Sequence, residues 1–96
     1  MNRLEAMKTL LHVVDAGSLS AASRKLRTPL ATISRRVADL ERHLGAQLLL
    51  RSNRRLELTD AGGAYVAACR SIIEQLDQAE RAASGEYLAP RGEIAI

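Results

Sequence analysis

Gly17, the pair Thr28 and Pro29, and Gly45 interrupt a helical apolar rhythm three times in succession, and these interruptions limit the fold more than any other feature of the chain. The segments between them are too short to be stable helices alone, so they must bury their faces against one another. Asn2, followed three residues later by Glu5, resembles a capping box, in which a side-chain oxygen satisfies an orphan N–H of the first turn. Leu4, Met7, Leu11 and Val14 then repeat at the spacing of one helix face, and Gly17 ends the segment. Ser18 offers its hydroxyl as the N-cap of a second helix striped by Leu19, Ala22 and Leu26. For the third, Thr28 reads as the N-cap and Pro29 as the first helical residue, where a missing N–H costs nothing. Ile33, Val37, Leu40 and Leu44 form its apolar stripe, and Gly45 closes it. At about 100° per residue, Ala31, Thr32, Ser34, Arg35, Asp39 and Arg42 face away from that stripe.

Downstream the period changes from helical to two. The segments Leu48 to Arg51 and Leu56 to Leu58 carry leucines at 48, 50, 56 and 58, joined through Ser52, Asn53, Arg54 and Arg55, which predicts a β-hairpin with a basic tip. Thr59 is then an N-cap candidate, with Asp60 at the positive end of the dipole, for a helix reaching about Ser84. Tyr65, Ala68, Ile72, Leu76, Ala79 and Ala83 keep one stripe, while Val66, Cys69 and Ile73 form a second early in the helix. Such a helix is nearly 40 Å long at about 1.5 Å per residue, more than a small core needs, and its leftover seam predicts a partner helix. Gly85, Pro90 and Gly92 break the pattern before Glu93, Ile94, Ala95 and Ile96 begin a strand-like alternation. The expected architecture is mainly α. Residues 1–58 form a winged helix-turn-helix of three helices and a short hairpin, 59–85 a long dimerisation helix, and 86–96 a hinge into a further domain.

Charge points to a polyanionic partner. The formal net charge is only +3, but the stretch from Arg24 to Arg55 holds nine basic residues (Arg24, Lys25, Arg27, Arg35, Arg36, Arg42, Arg51, Arg54, Arg55) against Asp39 and Glu41. Such a block suits a nucleic acid as well as a solvated surface. Aromatic content separates the nucleic acids: the chain has no Phe or Trp and only Tyr65 and Tyr87, too few for the stacking platforms that hold single strands. Duplex DNA fits better. Ninety-six residues exclude a barrel or doubly wound enzyme domain, and the longest uninterrupted apolar run, Leu48 to Leu50, is far short of a membrane span. The expected location is therefore the cytoplasm, on the nucleoid when bound. Cys69, His12 and His43 have no metal-ligand spacing, no nucleophile sits beside a base, and no phosphate loop is present, so neither an enzyme nor a cofactor is expected. Cys69 reads as a packing residue.

Read together, Gly17, Ser18, Ala21, Ala22, Leu26, Ile33, Ser34, Arg35, Leu40, Glu41, Leu44, Gly45, Leu48, Leu49, Arg51, Leu58, Thr59, Ala61 and Gly62 resemble the N-terminal DNA-binding domain of LysR-type transcriptional regulators, from Leu4 to about Ala83. The resemblance implies a third helix in the major groove, a wing along the phosphates and a long helix pairing two subunits on a dyad site. It also implies a C-terminal effector-binding domain beyond residue 86, through which alone a small molecule would act, and frequent tetramers. The family's Ser-Gln-Pro-Ala-Leu-Ser-Arg segment falls on Pro29 to Arg35. Ile33, Ser34 and Arg35 match it; Pro29, Leu30 and Ala31 depart from it. A leucine where glutamine is frequent cannot fork onto adenine, although it can touch a thymine methyl.

The base-reading candidates are Leu30, Ala31, Thr32, Ser34 and Arg35, with Arg35 foremost because a guanidinium can donate two bonds to guanine, or else one to a phosphate. The candidates for backbone and wing contacts are Ser18, Thr28, Arg36, Arg51, Ser52, Asn53, Arg54 and Arg55. Ser18 is mainly a cap, and Arg36, nearer the buried flank, suits a phosphate or an internal pair. Tyr65, Ala68, Ile72, Leu76, Ala79 and Ala83 are the dimerisation candidates. The competing reading is a helical interaction module whose basic surface meets an acidic protein.

Overall fold

The structure, a computed structural model, describes residues 1–51 and 55–85. Four helices and a two-stranded antiparallel sheet follow the order α1 (Arg3–Ala16), α2 (Leu19–Leu26), α3 (Leu30–Leu44), β1 (Leu49–Arg51), β2 (Leu56–Leu58) and α4 (Asp60–Ser84). The expected wing tip at Ser52, Asn53 and Arg54, the side chain of Arg51, and the expected hinge at 86–96 lie outside the described residues.

Local capping chemistry sets most of these boundaries. Asn2 Oδ1 accepts the Glu5 N–H at 3.0 Å, Ser18 Oγ the Ala21 N–H at 3.0 Å, and Thr59 Oγ1 the Gly62 N–H at 2.8 Å. The start of α3 departs from expectation. Pro29, at ψ 140°, is the N-cap rather than the first helical residue, and no side chain caps the helix. Thr28 does not serve as the cap because its polar groups turn back onto α2: its hydroxyl donates to Leu26 O at 3.1 Å, and its carbonyl accepts the Ser23 hydroxyl at 2.5 Å. The chain reverses there through Arg27, held in the left-handed region at φ 54°, a conformation that non-glycine residues adopt at a cost.

Ala6, Leu10 and Val13 of α1, Ala22 of α2, Ile33, Val37 and Leu40 of α3, Leu48 and Leu49 at the hairpin, and Val66 of α4 form one buried cluster. Three expected core positions are corrected. The buried face of α1 is Ala6, Thr9, Leu10 and Val13, so the Leu4, Met7, Leu11 and Val14 stripe is rotated to its margin. Leu4 is exposed, and Leu11 and Val14 are only partly covered. The small Ala6 and Thr9 allow α1 to approach the helices it packs on, α2, α3 and α4, and volume rather than hydropathy selects that face. Leu44, assigned to the α3 stripe, is exposed at the helix end. In β1 the alternation is shifted by one residue: Leu49 pairs with Leu58 and faces the core, while Leu50 pairs with Glu57 and faces out. Leu48 is buried just before the strand begins.

The backbone of Leu48 is gripped from two helices. Glu41 of α3 accepts the N–H groups of Leu48 at 2.7 Å and Leu49 at 3.1 Å. From the other side, Thr59 N–H donates to Leu48 O at 3.0 Å, and the Thr59 hydroxyl donates to Gln47 O at 2.6 Å. Gly62 lies so close that a Cβ there would sit 2.0 Å from Leu48 O. A second fastening joins α4 to α1, where Arg70 forks onto Asp15 with contacts of 2.6 and 3.3 Å.

Candidate nucleic-acid interface

The outer face of α3 is built from residues that the core does not use. Ile33, Val37 and Leu40 turn inward, leaving Leu30, Ala31 and Arg35 exposed and Thr32 and Ser34 half-buried on the N-terminal half of the helix. The three arginines of α3 have different fates. Arg36 leans back onto α1, 3.5 Å from Thr9 Oγ1 and 3.6 Å from Glu5, taking the internal pair that its flank position allowed. Arg42 is held by Asp39 at 2.6 Å. Arg35 has no acidic partner among the described residues.

Arg24 and Lys25 in the last turn of α2, and Arg27 just after it, are likewise exposed and outside any ion pair among the described residues. All three belong to the basic block of the sequence, where nothing in their spacing singles them out for a role. The signal was the brevity of the turn: only Arg27, Thr28 and Pro29 separate α2 from α3, so cations at the end of α2 flank the leading end of α3. Like Arg35, they are exposed cations of the kind that suits a phosphate backbone. Ser18 and Thr28, offered as backbone contacts, have their hydroxyls engaged in local bonds. Arg55 is exposed at the foot of the hairpin.

The two stripes of α4 separate only in part: Ile73 of the inner stripe is half-covered, and Tyr65 of the outer one packs against the core. Val66 and Cys69 are buried, and burial pushes the Cys69 thiol above its ordinary value. On the other stripe Ala68, Ala79 and Ala83 are exposed, Ile72 is 49% exposed, and Tyr65 and Leu76 are half-covered. Among the described residues no group of three or more His, Cys, Asp or Glu side chains could hold a metal ion, and no helix is long and apolar enough to cross a membrane.

The sequence profile of the bacterial regulatory helix-turn-helix proteins of the lysR family matches residues 4–63, the stretch from α1 to the first turn of α4. This chain belongs to the LysR family. One relative, an HTH-type transcriptional repressor of Pseudomonas aeruginosa strain UCBPP-PA14, is 43% identical over 96 residues, covering 100% of this chain and 30% of that protein. The HTH-type transcriptional activator AaeR of Escherichia coli K12 is 40% identical over 76 residues, 79% of this chain and 25% of that protein. The chain therefore spans less than a third of the length of these relatives. Among solved structures, the CbnR_DBD–DNA complex matches with a TM-score of 0.81 at 32% identity, covering 88% of this chain and 97% of that one. The BenM_DBD/catB site 1 DNA complex matches with a TM-score of 0.82 at 27% identity, covering 84% and 90%. Four helices and an antiparallel hairpin are thus the winged helix-turn-helix architecture of LysR DNA-binding domains.

Proposed function

We propose that this chain is the sequence-specific duplex-DNA-binding part of a LysR-family transcription regulator, and that it is not an enzyme. In this reading α3 enters the major groove, Arg24, Lys25 and Arg27 hold phosphates beside its leading end, and Arg51, Ser52, Asn53, Arg54 and Arg55 of the wing lie on the backbone or in a neighbouring minor groove. The carrying observation is Arg35: exposed, without an acidic partner among the described residues, and set among Ala31, Thr32 and Ser34, which are small enough to let the helix approach base edges. Two copies pair through the Tyr65, Ala68, Ile72, Leu76, Ala79 and Ala83 face of α4, so that two recognition helices meet a dyad site. The regulator works in the cytoplasm, with any small-molecule effector acting through a C-terminal domain and with tetramers as the full-length assembly.

Footprinting on genomic fragments followed by titration at increasing salt tests the reading. Protected sites should share a motif, and affinity should fall steeply with salt while preference over random duplex survives. Binding to an acidic protein with no preferred duplex would refute it.

A further inference from the structure

Leu30 is 46% exposed at the first position of α3. It adds nothing to the core, which draws on Ile33, Val37 and Leu40 of the same helix. Its neighbours on the leading turn, Pro29 and Ala31, are exposed too, and the first side-chain hydroxyl of this face comes only at Thr32. The end of α3 that penetrates first therefore carries no side-chain donor or acceptor. Its side chains cannot distinguish bases by hydrogen bonds. The floor of the major groove offers such a surface a single apolar feature, the 5-methyl group of thymine.

Resting on the DNA-binding reading above, we infer that Leu30 is a specificity-determining residue that recognises one pyrimidine 5-methyl group in each half-site. Contact removes water from an exposed isobutyl group and from a methyl group together, so both sides of the contact gain. Any base pair lacking the methyl leaves Leu30 facing a polar edge that it cannot satisfy. Because 5-methylcytosine places its methyl at the same point of the groove, the contact follows the methyl rather than the identity of the base.

The test begins with sites selected from a random duplex pool by the wild-type chain. Each thymine of the preferred site is then replaced by deoxyuridine, which removes only the methyl, and at any sensitive position cytosine is compared with 5-methylcytosine. At one thymine per half-site, loss of the methyl should weaken wild-type binding about fourfold, and 5-methylcytosine should bind better than cytosine. Leu30→Ala should bind the thymine site about as weakly as wild type binds the deoxyuridine site, with no further loss when the methyl is removed. Since Leu30 is exposed and alanine favours helix, the variant should keep its helical circular dichroism and melting temperature. Deoxyuridine tolerated everywhere, or penalised equally in both proteins, would overturn the assignment of Leu30 while leaving DNA binding intact. A pool that yields no preferred sequence would overturn the DNA-binding reading itself, and the inference with it.

Discussion

Arg35 and Arg36 are adjacent in sequence, yet one faces solvent without an acidic partner among the described residues and the other is drawn onto Glu5 and Thr9. One residue along a helix turns a side chain by about 100°, and here that rotation separates an exposed guanidinium from one tied to α1. Arg35→Ala should cost about 1 to 3 kcal/mol on the preferred site and flatten preference at one base pair. Arg24→Ala should weaken all duplexes alike and reduce the salt slope by about one ion, so competition titrations at several salt concentrations separate the two roles. A full sequence preference retained by Arg35→Ala would remove Arg35 from base reading. The sequence showed that Arg35 faces outward because helical rotation is local information. It did not show what Glu41 does, since its contacts to Leu48 and Leu49 N–H span seven and eight residues and no periodicity announces them. Gly62 was visible only as a position matching a family pattern; its reason is the Leu48 carbonyl 2.0 Å from where a Cβ would stand. Gly62→Ala should therefore force α4 and the hairpin apart, with a loss of about 3 kcal/mol or more in urea unfolding, whereas Gly63→Ala, which meets nothing within 4 Å, should be neutral or stabilising.

At the scale of elements, helix limits were legible wherever a cap is a matter of short-range chemistry, as with Asn2, Ser18 and Thr59. The phase of α1 was not. A helix with neighbours on several sides has a broad covered surface, and Ala6 and Thr9, modest in hydropathy, lie buried on it beside Leu10 and Val13. The hairpin misled similarly: three consecutive leucines fit either alternation, and the Leu49–Leu58 pairing decides between them. The joint between α1 and α4 gives an element-scale prediction. The hydrogen bond from Arg70 holds the Asp15 carboxyl below its ordinary value of 3.8. A depressed folded-state pKa stabilises the fold above the unfolded value and ceases to do so as pH falls through the folded one. The melting temperature lost on Arg70→Ala should thus be small, because both groups are about half exposed. It should be present at pH 7 and low salt, and should shrink as pH is taken below about 3.8 or as salt is raised. A difference that persists unchanged at pH 2 would mean that Arg70 acts through packing instead.

For the whole molecule, the buried residues of α4 are Gly62, Val66 and Cys69, so its second half receives little cover from the described residues. If two copies pair there, Leu76→Asp would bury an unpaired carboxylate, a penalty of several kcal/mol that dissociation avoids. Sedimentation equilibrium should show monomers with helical content retained, and DNA affinity should fall by orders of magnitude because linked half-site contacts multiply. A Leu76→Asp protein that still sediments as a dimer and binds normally would move the seam elsewhere. The grip on Leu48 bears on what such an assembly can do. Glu41 holds its N–H, Thr59 holds its carbonyl and Gly62 is pressed against it, so α3, the hairpin and α4 are fastened to one another at a single residue. If two copies pair through α4 and read DNA with α3, a rotation of α4 by a few degrees would carry the head with it as one lever, and the arc swept at its far end would change the distance between the two heads, and hence the half-site separation at which both can seat.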